Sequence, residues 1–263
     1  MQDISSVKNP IVKKIMALNK KRGRTQHQQF FVEGIREIQV ALESGLVPTE
    51  ILYNSKWDVD QLTQFRGQLP QTQEYLLTDE VFEKISYRGS VANALACFRL
   101  FNTSLDQLNL KQSALVLVLE AIEKPGNMGA IFRTADAAGV DAILIANPNT
   151  DFYNPNVIRA SLGTVFSVPF AIGTNEACLD FLKENNFQIY STYLEASTPH
   201  YSVDMKGDTA LVLGSEAFGI SPFWIEHAHE TIKIPMHGLA DSMNVSTATA
   251  VTVFEAVRQR AEI

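Results

Sequence analysis

A chain of 263 residues, 46% of them hydrophobic, can bury one large core or two modest ones and is too apolar for a disordered protein, so two domains are expected. Its two cysteines, Cys97 and Cys178, lie apart from each other and from any histidine-rich cluster, which argues against a disulfide framework or a metal site and fits a reducing cytoplasm. The net charge of −7 argues mildly against nucleic acid, and the absence of any apolar stretch near the roughly 20 residues needed to cross a bilayer argues against a membrane partner.

Before Thr25 the charge runs the other way: Lys8, Lys13, Lys14, Lys20, Lys21, Arg22 and Arg24 stand against Asp3 alone. A local basic patch matters more for phosphate binding than the chain total, although a solvated helix face accounts for such a run equally well. Asn9-Pro10 reads as a cap with Pro at the first helical position, and Ile11, Val12, Ile15 and Met16 follow at helical spacing. Strands are predicted at Phe30–Val32, Glu50–Tyr53, Glu74–Leu77 and Ala94–Leu100. Helices are predicted at Ile35–Glu43, Asp58–Leu69 and Thr78–Ser86. Such alternation gives a small sheet with helices on its faces. The polar stretch Asn102–Ser113 reads as a linker.

Ala114–Leu119 is a continuous apolar run of the kind buried on both faces of a parallel sheet. A helix from about Gly129 to Ala138 follows, then strands at Ala142–Ala146, Phe187–Thr192, Ala210–Leu213 and Thr231–Ile234, with helices near Asn156, Glu176 and Ile225. The last helix begins near Val245. The pattern is a doubly wound parallel sheet.

Three segments of this second half combine small residues with polar side chains. In Asn127-Met-Gly-Ala-Ile-Phe-Arg133-Thr-Ala135, Asn127 sits at a helix start and Gly129 permits close approach. Arg133 on so apolar a helix needs a partner, either an acid such as Glu120, Glu123 or Glu216 or a phosphate. In Leu213-Gly-Ser-Glu216-Ala-Phe-Gly219, Gly214 follows a buried strand at its carboxyl end, where open α/β sheets bind ligands. That segment is neither a P-loop nor a dinucleotide fingerprint, and Glu216 could simply cap the next helix. The third segment is Ile234-Pro-Met-His-Gly238 with Ser242-Met-Asn-Val-Ser246, whose Ser242 and Asn244 could likewise be caps.

Together and in this order, the segments resemble the three signature motifs of the SpoU/TrmH branch of the SPOUT RNA methyltransferases. The resemblance implies an α/β fold with a SPOUT-type parallel sheet and a deep carboxy-terminal trefoil knot, in which the segments around Gly214, Ile234 and Met243 are tucked through one another. It implies S-adenosylmethionine as cofactor, held by Gly214, Ile234, Met236, Met243 and Ala248. It also implies a catalytic set of Arg133, Asn127, Glu216, Ser242 and Asn244. Arg133 leads that set as a grip on the RNA phosphate beside the reacting ribose, because a guanidinium stays protonated and bidentate phosphate binding needs no perturbation.

Further upstream, Ser6–Lys14 and Gln29–Arg36 look like the substrate-binding domain of ribosomal-RNA members of that family. Residues 1–105 are then an RNA-binding domain and residues 113–263 the methyltransferase domain. The match departs from the family pattern at Tyr87–Asn93. Asn156–Gly163 resembles a further family segment whose Ser161 and Gly163 pack near the cofactor loops, and Arg258 and Arg260 resemble arginines near a dimer-built RNA site. The resemblance implies a homodimer that methylates a ribose 2′-hydroxyl, in large-subunit ribosomal RNA ahead of transfer RNA. A catalytically silent RNA-binding protein that kept the fold is the alternative, and the glycine spacing disfavours a nicotinamide-dependent oxidoreductase.

Overall fold

The structure is a computed structural model and describes residues 1–87 and 92–261; the middle of the departing segment, residues 88–91, lies outside them. In chain order the first elements are β1 (Gln2–Ile4), α1 (Pro10–Leu18), α2 (Lys21–His27), β2 (Gln29–Glu33), α3 (Ile35–Glu43), β3 (Pro48–Asn54), α4 (Val59–Arg66), β4 (Gln73–Leu77), α5 (Asp79–Ile85) and β5 (Ala94–Arg99). After a short 3-10 turn at Leu105–Gln107 come β6 (Leu115–Glu120), α6 (Pro125–Ala138), β7 (Ala142–Ala146), α7 (Pro155–Ser161), β8 (Phe170–Gly173), α8 (Asn175–Glu184), β9 (Gln188–Thr192) and β10 (Thr198–Pro199). The chain continues with β11 (Thr209–Leu213), α9 (Pro222–His227), β12 (Glu230–Lys233) and α10 (Val245–Ala261). Two compact units result: residues 1–101 with 152–167, and residues 102–151 with 168–263.

In the first unit five strands take the order β1-β4-β3-β5-β2, with β5 antiparallel to both its neighbours. The start of α1 is built as its sequence dictates: the Asn9 side chain accepts from the Ile11 N–H at 2.9 Å, and Pro10 opens the helix. Val12, Ile15 and Leu18 are buried on the sheet while Met16 faces out. Helix α2 carries no apolar periodicity and was not expected. It crosses α1 so closely that a Cβ on Gly23 would lie 2.0 Å from the Ala17 carbonyl oxygen, so only glycine fits there.

That crossing divides the basic run. Arg24 is buried and donates to the Leu18 carbonyl at 2.6 Å, and Lys14 pairs with Glu50 at 2.5 Å. Lys8, Lys13, Lys20, Lys21 and Arg22 remain exposed.

The segment 152–167 belongs to this unit. Tyr153 and Phe166 lay their rings against Phe30, with centroids at 4.9 and 5.8 Å. Gly163, at φ +89°, leaves room for a Cβ only 3.0 Å from Val40 Cβ and 3.2 Å from Glu37 Cα on α3. Ser161 is turned inward on its own helix end, donating to the Ile158 carbonyl and accepting from the Gly163 N–H. Packing on α3 therefore accounts for the small residues of this motif.

In the second unit seven parallel strands take the order β10-β12-β9-β11-β6-β7-β8. Residues 114, 116 and 118 share one buried face with Ala142, Leu144, Ala210 and Val212, covered by Cys178, Leu179 and Leu182 of α8 and Trp224 of α9. Strand neighbours alternate faces, so Leu115, Leu117 and Leu119 point the other way, and all three are buried as well. Helix α10 packs on α6 and on β11. The stretch that reads as a linker is tied to the sheet: the Ile172 N–H donates to the Thr103 carbonyl at 2.7 Å, and Leu105, Leu108 and Leu110 rest on the core.

Two polar clamps hold the unit. Buried Glu120, at the end of β6, accepts from Asn175 Nδ2 at 2.8 Å, the Ser221 N–H at 2.8 Å and Ser221 Oγ at 2.5 Å, while Asn175 Oδ1 accepts from Trp224 Nε1 at 3.1 Å. Arg260 donates to the carbonyls of Met205, Gly207, Ala114 and Ser113. Its guanidinium is thus engaged inside the unit rather than presented to RNA, and Arg258 pairs with Glu255. Glu120→Ala leaves three donors unanswered, that of Asn175 buried and the two of Ser221 part-buried, and is expected to cost about 2–4 kcal/mol. Urea unfolding in a Trp57→Phe background, where Trp224 alone reports on the second unit, measures it.

Candidate active site

The carboxyl ends of β9, β11 and β12 and the first turn of α10 surround a cavity of ≈ 660 Å³, within the size range of small-molecule sites. Its apolar wall is Leu213, Ile220, Ile232, Ile234, Met236 and Met243; Lys124, Glu195 and Lys233 supply charge. All five residues expected to hold the cofactor, Gly214, Ile234, Met236, Met243 and Ala248, line it.

Gly214 is required by the loop's own packing. A Cβ there would meet the carbonyl carbon of Gly219 at 2.1 Å and the Ile220 nitrogen at 2.3 Å. The loop folds back on itself: the Ser215 and Gly219 backbones exchange hydrogen bonds of 2.9 Å, Ser215 Oγ accepts from the Phe218 N–H, and Gly219 sits at φ +67°. Closure of the loop by itself excludes a side chain at 214.

That closed loop projects Glu216. Its carboxylate accepts from the Glu123 N–H at 2.9 Å, the Lys124 N–H at 3.1 Å and Asn127 Nδ2 at 2.6 Å. Asn127 Oδ1 in turn accepts from Asn244 Nδ2 at 3.1 Å, and Asn244 Oδ1 accepts from the N–H and the hydroxyl of Ser246. The relay joins all three sequence motifs. Its direction is forced, because an ionised carboxylate at one end only accepts and a backbone N–H at the other only donates. Partial burial would raise the Glu216 carboxyl, but its hydrogen bonds from the Glu123 N–H, Asn127 and the Lys124 N–H outweigh burial and hold it below the ordinary carboxylate range.

Ser242 lines the cavity but lies outside the relay; its hydroxyl donates to Asp241 at 3.0 Å. Arg133 is not brought to the cavity. It lies six residues beyond Asn127, so the two side chains leave α6 roughly 120° apart. Two of the three expected acidic partners are engaged elsewhere, Glu120 by Asn175 and Ser221 and Glu216 by the relay. Among the described residues no ion pair or hydrogen bond of the Arg133 side chain is found, and it is exposed.

Leu194, Glu195 and Phe218 were overlooked in the sequence. The cavity's position past the strand ends could have found the first two, since Thr192 closes a predicted strand.

Comparison with known proteins accords with this geometry. Residues 114–254 match the SpoU rRNA Methylase family, and residues 9–96 match the MRM3-like substrate binding domain. A 23S rRNA (guanosine(2553)-2′-O)-methyltransferase of Bacillus subtilis is 28% identical over 255 residues, covering 97% of this chain and 98% of its own. The crystal structure of an RNA 2′-O ribose methyltransferase superposes with a TM-score of 0.88 at 33% identity, covering 99% of this chain and all of the other. An AdoMet-bound rRNA methyltransferase from Sinorhizobium meliloti superposes with a TM-score of 0.90 at 28% identity, covering 98% and 97%. A seven-stranded parallel sheet with a ligand-sized cavity at its strand ends is an α/β ligand-binding architecture, and the chain belongs to the SpoU rRNA methylase family.

In Glu216→Gln the amide nitrogen faces a backbone donor in either orientation: the Glu123 N–H in one, and in the other the Lys124 N–H with Asn127 and Asn244 forced to reverse and abandon Ser246. The folded-state pKa of Glu216 lies below its unfolded value, so its stabilisation is complete above the ordinary carboxylate pKa and is lost as pH falls through the depressed value. The stability difference between wild type and Glu216→Gln should therefore be constant above about pH 5.5 and shrink below about pH 4, as measured by urea unfolding across that range.

Proposed function

We propose that this chain transfers a methyl group from S-adenosylmethionine to a ribose 2′-hydroxyl of 23S rRNA. The observation that carries the reading is the Glu216–Asn127–Asn244 relay, which ties the three family motifs together at the rim of one cavity. The residues present suit the cofactor. Ile234, Met236 and Met243 would offer apolar surface to an adenine, the backbone at Gly214–Ser215 would offer amides, and Lys124 and Lys233, which line the same cavity, would offer positive charge to an amino-acid carboxylate. When bound, the cofactor supplies a methyl group activated by the adjoining sulfonium.

The protein's own part is positioning. Glu216, fixed in its ionised form by three donors, is a poor base and acts as the post to which Asn127 and Asn244 are tied. Arg133, exposed and outside the cavity, is suited to clamp the phosphate beside the reacting ribose through its planar fork. Holding the hydroxyl in line with the methyl group supplies on the order of 7 kcal/mol in favourable cases.

The reading extends to assembly. Arg133 reaches a ribose only if something presents RNA to the outer face of α6, and a homodimer in which a second copy completes the site meets that need. The segments around Gly214, Ile234 and Met243 are inferred to form the family's trefoil knot. Residues 1–105, to which the segment 152–167 is packed, serve as the RNA-binding domain ahead of a methyltransferase domain formed by the rest of 113–263, with Lys8, Lys13, Lys20, Lys21 and Arg22 on phosphates, in the cytoplasm where the RNA is assembled.

Arg133→Ala should keep cofactor affinity, measured by calorimetry, within about twofold and lose at least a hundredfold in methyl transfer to a 23S rRNA transcript. Arg133→Lys should also be poor, because a point charge does not reproduce the fork. A substrate with 2′-deoxyribose at the modified nucleotide should accept no methyl group. Transfer to that substrate would refute ribose methylation.

A further inference from the structure

Every phenylalanine, tyrosine and tryptophan ring of the first unit is buried or half-buried among the described residues, with one exception: Tyr87 is 49% exposed. An exposed ring at the end of a connecting segment is ordinarily loose, but this one is held on two sides. Its backbone N–H donates to Glu33 Oε2 at 2.7 Å, and the preceding Ser86 hydroxyl donates to the other oxygen of the same carboxylate. Glu33 is itself only 8% exposed and sits on β2, so its anchorage is rigid. The Arg159 guanidinium lies over the ring, 5.8 Å from its centroid. Arg159 is in turn oriented by Asn156 Oδ1, which accepts from its Nε at 3.2 Å and its Nη2 at 2.7 Å. A shallow cleft bounded by Phe31, Glu33, Tyr87, Pro155, Ile158 and Arg159 opens beside the pair.

We infer that Tyr87 and Arg159 form a stacking platform for an unpaired base of the RNA substrate. A pair valued only for stability would gain by covering the ring more fully; here the ring is fixed at backbone and face yet left half open. Planar guanidinium and phenol surfaces are the two side-chain types on which splayed-out bases stack, in a manner tolerant of sequence because every base has a π-face. The arginine contributes a positive charge beside the same base, where a phosphate follows at the next backbone position. The assignment rests on the RNA reading of the protein but concerns a different surface from the cofactor cavity, made wholly within the first unit. It gives a role to Arg159, whose helix otherwise packs on β2.

The test uses the full-length protein and two probes, a 23S rRNA transcript and a fluorescein-labelled oligoriboadenylate of about a dozen nucleotides. Tyr87→Leu, which keeps bulk and removes the π-face, should weaken binding to both by on the order of tenfold. Tyr87→Phe should bind as wild type, and Arg159→Lys should lose several-fold. Stacking releases no counterions, so the slope of log affinity against log salt should be unchanged in Tyr87→Leu, unlike in a lysine variant of the basic run. Cofactor affinity and melting temperature should be those of wild type in all three. A Tyr87→Leu protein that binds both probes with wild-type affinity would overturn the inference, as would a changed salt slope. Should wild type fail to methylate the transcript while Tyr87→Leu still weakens oligoadenylate binding, the methylation reading falls and the platform stands.

Discussion

The ionised carboxylate of Glu216 can only accept hydrogen bonds, and the rim of the cavity is arranged around that restriction. Helix α6 begins at Pro125 with no side-chain cap of its own, and its first turn carries orphan donors and the positive end of the helix dipole. In an ordinary capping box the third residue of the helix reaches back to the cap. Here the third residue, Asn127, meets a carboxylate from another segment that also takes the N–H of the cap residue Lys124. The box is closed from outside, and its closure fixes the β11 loop against the β6 loop. Asn244 extends the same logic to α10 by capping that helix with one end of its amide and joining Asn127 with the other.

Glu216 can serve as such a post only because its loop is stiff. The mutual hydrogen bonds of Ser215 and Gly219 close five residues into a turn, and the missing Cβ of Gly214 lets Gly219 and Ile220 pass within contact. Both glycines of the motif therefore act on the loop's own backbone. Whatever the cavity holds meets a wall preset by that packing, and the preset wall lowers the ordering cost of binding. A glycine chosen for loop closure and one chosen for ligand approach look the same in a sequence, since both say only that a side chain is excluded.

The distinction marks how far the sequence could be read. The central strands announce themselves as runs such as Ala114–Leu119 and Ala142–Ala146, because a parallel strand buried on both faces has no polar alternation to obscure it. Strands β1 and β10, of three and two residues, are too short to carry a period, and β8 owes its place to neighbours distant in the chain. Helix α2 is polar and basic; its place depends on the Gly23 crossing rather than on an apolar stripe. The motifs of the site were visible because each is local. Their relay was not, since it joins residues 89 and 117 positions apart. For α7 the helix could be read but its destination could not, because Gly163 records a close approach without naming α3 as the partner.

The first unit shows the same separation of pattern from use. Seven basic residues near the amino terminus read as a single patch, but Arg24 is drawn inside to satisfy a helix-end carbonyl and Lys14 neutralises Glu50. In the RNA-binding role proposed for this unit, the five left outside supply a field that draws phosphates without regard to sequence. Charge alone cannot distinguish paired from unpaired RNA, since both present phosphates. A half-exposed ring can, because the bases of a duplex are already stacked on one another and have no face to give. Lysines for affinity and Tyr87 with Arg159 for strandedness divide recognition between two kinds of force. Only the electrostatic one weakens with salt, so selectivity for unpaired nucleotides should persist under conditions where overall affinity falls.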